Sequence, residues 1–193
     1  HQENNLSQVD SIIINNSVDK VHAEEFGSLV IQDSGGRMKP LNTFSSELLR
    51  KVSKSDTYKS LNADQVMLSI TKDPVLWYNI PIIYLKRGND SLRKVIGRDK
   101  KEKYAAFVDF FDDKGNYKLA KNLETAYKSS LPNQFEKDFI ESDRKVNLLF
   151  SALEGDILRI FPSPNDINDK WVSYNELKEQ NFVGIDSLFV NNI

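Results

Sequence analysis

Apolar residues recur at helical spacing along much of the chain, and the clearest run comes late. Phe135, Phe139, Val146, Leu149, Phe150 and Leu153 trace one stripe over about five turns, a pattern that predicts a long core-facing helix. Gly155 follows as its stop signal. Earlier, Phe44, Leu48, Leu49 and Val52 share one face after Pro40, with Asn42 or Thr43 as cap and Arg50 and Lys51 at the C-terminal end. A further helix is predicted from Leu61, where Asn62 and Gln65 stand at capping-box spacing, and Asp73-Pro74 should end it. Leu119, Leu123 and Ala126 predict another helix, broken at Pro132-Asn133. Ser173 and Glu176 predict a short capped helix near the end.

Strand signals are fewer. Leu29, Val30 and Ile31, bounded by glycines, read as a short strand leading through a turn into the helix after Pro40. Leu76 to Lys86 is β-branched and aromatic, but Pro81 restricts it to an edge. Lys103 to Phe111 fits either strand or helix and is read as helix, Asp112 to Asn116 reads as a turn, and Asp156 to Pro164 as a short strand. Residues 1–21 read as an extended or partly disordered lead-in, and residues 22–193 as a single domain. Strands and helices do not alternate regularly, which argues against a doubly wound parallel sheet. The fold class expected is an irregular, helix-dominated α+β domain.

Composition narrows the chemistry. The 193 residues carry 26 basic and 28 acidic side chains, a formal charge of −2, so nucleic acid is not an expected partner. The absence of cysteine excludes disulfides, thiolate catalysis and Cys-ligated clusters. No stretch approaches the roughly 20 apolar residues of a membrane span. The polar start, without Met, reads as a processed or excised segment, with membrane segments expected outside it.

Five residues stand out as candidates. The loop from Gly35 to Lys39 puts Arg37 and Lys39 beside two glycines, which suits either an anion held on backbone N–H groups or a plain turn. Its spacing matches neither a P-loop nor a dinucleotide fingerprint. His22 is the only internal histidine; it reads first as an ordinary surface or half-buried polar residue, and it is chemically able to ligate haem. Trp77 and Trp171, beside Pro and Asn, are either partner-facing or core. The acidic stretches around Asp112 and around Asn165, Asp166, Asn168 and Asp169 read as calcium loops or as Asx turns; Gly115 follows Phe110 at the EF-hand interval, where an aspartate is required. Asp143 and Arg144 interrupt the long stripe, as a buried pair or a solvated face. Paired carboxylates of a hydrolase remain a third possibility.

Taken in order, His22 to Lys51, Leu61 to Ile83, Phe110 to Lys128 and Phe135 to Trp171 resemble the large extracytoplasmic domain of Bacteroidetes-type cytochrome c biogenesis proteins, the ResB–CcsA fusion of the system II cytochrome c synthase. That family exports haem and attaches it to CxxCH sites. The resemblance implies a periplasmic domain of an inner-membrane protein, with haem handled by the parent protein and no cofactor in this domain. It implies no catalytic or metal-binding residue here, because the Trp-rich haem-handling motif belongs to the membrane-embedded synthase part. The partners implied are that synthase part and either apocytochrome c or thiol-reducing proteins, with docking or positioning as the role. Arg37, Lys39, Trp77 and Trp171 are then the partner-binding candidates, and His22 the candidate haem ligand. The alternative is a stand-alone extracytoplasmic peptide-, glycan- or anion-binding module that uses the Gly35–Lys39 loop.

Overall fold

Three helices form the centre of the molecule: α3 (Leu41–Ser53), α4 (Ala63–Lys72) and α8 (Gln134–Leu153). The structure is a computed structural model and describes residues 2–163 and 166–179. His1, Asn165 and the last part of the expected domain, 180–193, therefore lie outside the described residues. The three helices pack on one another in pairs. Leu48, Leu49 and Val52 of α3 meet Val66, Met67 and Ile70 of α4 and Phe139, Val146 and Leu149 of α8 in one continuous core. Each such side chain contributes about 1.5–3 kcal/mol when fully buried.

Side-chain caps set several helix starts. Asn62 accepts from the Gln65 backbone N–H at 2.9 Å, and the Gln65 side chain accepts from the Asn62 N–H at 3.1 Å. Asn133 and Glu136 repeat this box at α8, and Ser173 and Glu176 do so at α9 (Tyr174–Glu179). The start of α3 departs from expectation. Pro40 is its N-cap and no side chain caps it, while the Thr43 hydroxyl bonds Asn42 instead. Proline just outside the first turn already fixes the backbone there.

The strands are short and pair in four antiparallel two-stranded ribbons: β1 (Val30–Gln32) with β2 (Met38–Pro40), β3 (Thr57–Tyr58) with β4 (Leu61–Asn62), β5 (Ile83–Tyr84) with β6 (Tyr104–Ala105), and β7 (Phe161–Pro162) with β8 (Trp171–Val172). The irregular, helix-dominated α+β class is what the structure shows. The glycine-rich stretch after β1 is a hairpin turn and not a strand-to-helix turn, because Met38–Pro40 pairs back before α3 begins.

Three segments differ from the sequence reading. Residues 2–16 form a helix, α1 (Gln2–Asn16), where an extended lead-in was expected, and its Ile13 joins the core at 1 % exposure. Leu76 to Lys86 splits into the end of a short helix, α5 (Pro74–Trp77), and then β5, since Pro74 starts a turn of helix at N1. Lys103 to Phe111 is not an α-helix: β6 is followed by a 3-10 turn at Phe107–Phe110, which buries Phe107 and Phe110 on the core. Two smaller helices complete the described elements, α6 (Asp90–Ile96) and α7 (Ala120–Lys128), with α2 (Lys20–Gly27) packed on α3 and α4. Among the described residues no helix is long and apolar enough to cross a membrane.

Candidate functional site

The Gly35–Lys39 loop is organised around one carboxylate. Asp33 directly follows β1, and its Oδ1 accepts from the backbone N–H groups of Gly35 at 2.9 Å and Arg37 at 3.0 Å. Its Oδ2 lies 3.0 Å from Lys39 Nζ. The Gly36 N–H donates to the Asp33 carbonyl at 3.0 Å, and the Asp33 N–H to the Arg37 carbonyl at 2.9 Å. Gly36 sits at φ 80°, which a side chain would strain. The amides that an external anion would need are thus taken by the loop's own aspartate. Lys39 is likewise engaged, since Glu47 Oε2 of α3 is 3.1 Å from the same Nζ. The Lys39 bond and the backbone donors hold the Asp33 carboxyl below its ordinary range, and Asp33 and Glu47 together raise Lys39. Arg37 is left exposed, with no side-chain hydrogen bond or ion pair among the described residues.

Behind the hairpin, α3 and α8 border a charged cleft of about 540 Å³. Its carboxylates already have donors. Asp143 accepts from the Tyr117 hydroxyl at 3.0 Å and the Tyr127 hydroxyl at 3.1 Å, and Asp156 accepts from the Asn175 amide at 3.0 Å. Burial, and then the Asp143 charge, push the Tyr117 hydroxyl well above the usual phenol range, so it stays a donor. Lys51 and Arg144, in contrast, are exposed on opposite walls and pair with no side chain among the described residues. The cleft lining is balanced in charge, with Asp33, Glu47, Asp143 and Asp156 against Lys39, Lys51, Arg144 and Arg159. Asp143 and Arg144 do not pair with each other; Asp143 serves the tyrosines and Arg144 faces water.

Of the two tryptophans, Trp77 is removed as a partner-facing residue. It is 0 % exposed, its indole N–H donates to Ser69 Oγ at 3.0 Å, and Tyr58 packs edge-on against it at 5.2 Å. The turn of helix begun by Pro74 aims it inward. Trp171 is half-buried on β8, and its backbone N–H donates to Gln32 Oε1. His22 is exposed on α2, where its backbone N–H caps onto Asp19 at 3.0 Å. The acidic turns close on themselves. Asp112 accepts from the backbone of Lys114 and Asn116 and from the Asn116 amide, and Asp166 accepts from the backbone of Asn168 and Lys170. No cluster of three or more metal-ligating side chains occurs among the described residues.

Sequence reasoning missed Asp33 as the centre of the loop and the two tyrosines on Asp143. The first had a signal, since an aspartate two residues before a glycine is an Asx-turn pattern. The second had none, because the partners come from three separated segments.

No protein-family model matches the chain. The chain is similar to Protein NrfI of Wolinella succinogenes, with 35% identity over 155 residues. That match takes in 78% of this chain and 17% of NrfI, so the chain spans about a sixth of the length of the curated relative it matches.

Proposed function

We propose that this chain is an extracytoplasmic docking or positioning module of a membrane-bound cytochrome c biogenesis protein, without catalysis of its own. The similarity to NrfI carries the reading: it supports cytochrome c biogenesis and haem attachment as the setting. The finer assignment, to the periplasmic domain of a system II synthase of the ResB–CcsA fusion type, rests on the order of the four sequence segments described above. In that setting the membrane-embedded part of the parent protein handles haem. This module holds the apocytochrome, or a thiol-reducing protein, near the site of attachment.

The geometry supports docking over anion capture. Asp33 already occupies the N–H groups of the Gly35–Lys39 loop, and Lys39 is shared between two carboxylates. The test is deletion of residues 22–179 from the full-length parent in its native host. The expected result is a parent protein that still reaches the membrane while mature c-type cytochromes, read by haem-stained gels, are lost. Unchanged cytochrome levels would overturn the reading.

A further inference from the structure

The apolar core of the described residues is continuous as far as Leu158, with Ile160 packed against it. It leaves out Val172 of β8 and Leu177 of α9, although these are only 1% and 3% exposed. The end of the described chain thus carries a small satellite cluster of its own. Among the described residues, hydrogen bonds at two ends join it to the rest. At one end the buried Gln32 side chain accepts from the Trp171 N–H at 2.7 Å and donates to the Asp169 carbonyl at 3.1 Å. At the other, just past the end of α8, the Asn175 amide donates to the Glu154 carbonyl at 2.6 Å and to Asp156 Oδ1 at 3.0 Å. Between these ends the unit is braced internally. β7 pairs with β8, the Ser163 N–H donates to the Lys170 carbonyl at 2.8 Å, and Lys170 Nζ lies 3.2 Å from Glu176 Oε1.

We propose that β7, β8 and α9 form a strap that opens as one cooperative unit while α3, α4 and α8 stay folded, with Gln32 as its latch. Opening breaks a few hydrogen bonds and exposes a two-residue apolar cluster, whereas global unfolding exposes the whole core. The smaller event has the lower free energy. The strap also bears on the cleft between α3 and α8, because Asp156 and Arg159 line that cleft. Closed, α9 supplies a partner to each: Asn175 to Asp156, and Glu176, whose Oε2 is 3.8 Å from Arg159 Nε. Opening withdraws both partners together. The cleft keeps its charge balance but gains one carboxylate and one guanidinium whose bonds are unspent. The strap is therefore a conformational control on which charges of the cleft are free.

The device concerns this chain alone and stands or falls apart from its biological setting. Native-state hydrogen exchange in low urea tests it. The amides of Ser163, Trp171 and Leu177 should exchange through one opening with a shallow urea dependence, below the steep dependence of amides in the middle of α3. Each tie should then be felt at the far end. Gln32→Ala should speed exchange at Leu177 on the order of thirtyfold, and Asn175→Ala should speed it at Ser163 about fivefold. A second measurement needs neither variant. The chain has no cysteine, so Val172→Cys and Val66→Cys each place a single thiol at a site 1% exposed in the natural protein. The strap thiol should react with a thiol reagent at least about tenfold faster than the core thiol. Equal thiol rates, strap amides that exchange only by global unfolding, or variants felt only at their own end would overturn the proposal.

Discussion

The Trp171 backbone N–H donates to Gln32 Oε1 at 2.7 Å, across 139 residues of chain. The same Gln32 side chain donates through Nε2 to the Asp169 carbonyl at 3.1 Å, and the Gln32 backbone N–H donates to the Arg159 carbonyl at 3.1 Å. One buried amide therefore joins the first hairpin to the last. Gln32→Ala leaves the Trp171 N–H and the Asp169 carbonyl without their partner, and should cost about 2–3 kcal/mol. Urea denaturation gives the loss, and hydrogen exchange should show faster exchange at the Trp171 amide. Protection unchanged at that amide would contradict the tie.

Gly27 is tied to Asp64 by contact. A Cβ at Gly27 would meet Asp64 Oδ2 at 2.6 Å and Asn42 Cβ at 3.1 Å. Gly27→Ala should destabilise by about 1–3 kcal/mol, despite alanine's better helix propensity. The penalty should shrink in an Asp64→Ala background, so a double-mutant cycle reads the contact directly.

Asp64 also gives stability a pH dependence. Its Oδ1 is buried without a hydrogen-bond partner. Burial raises its pKa from the ordinary 3.8, the nearby Ser45 hydroxyl opposes the shift, and the Glu24 charge adds to it. The folded protein then holds this proton more tightly than the unfolded chain does. The contribution is most favourable when the group is protonated and declines as pH rises from 3.8 through the raised folded value. Asp64→Asn removes this slope. Relative to that variant, the natural protein should gain melting temperature as pH falls from 7 to 4; a constant difference would contradict the assignment.

Much of the fold was legible in the sequence because its signals are local. The Asn62–Gln65 and Ser173–Glu176 caps act over three residues, and the α8 stripe repeats over several turns. The ribbons were less legible. Ile83 pairs with Ala105 and Tyr84 with Tyr104, so a two-residue strand takes its identity from a partner about twenty residues away. Trp77 was misread for a related reason: its neighbours Pro and Asn look like a loop, and only the packing of α4 against α5 shows the indole closing on Ser69. At the candidate site, Arg37 and Lys39 were visible as charges, but the Asp33 and Glu47 pairing that spends Lys39 depends on the hairpin folding back on α3.

Removal of Asp33 tests that last point. The folded-state pKa of Asp33 is depressed, so its stabilising effect is present above the ordinary 3.8 and is lost as pH falls through the folded value. Asp33→Ala frees the Gly35 and Arg37 N–H groups and removes one of the two carboxylates that hold Lys39. The variant should show a sulfate-dependent thermal shift that the natural protein lacks. A shift in the natural protein that Arg37→Ala abolishes would instead favour anion binding at this loop.

The central claim, a docking module that leaves haem to the rest of its parent, is tested most directly by titrating the purified chain with hemin at the Soret band beside its His22→Ala variant. His22 is exposed on α2, and the account predicts identical titrations without a ligand-specific Soret shift. A Soret shift in the natural protein that His22→Ala removes would contradict it and make His22 a haem ligand.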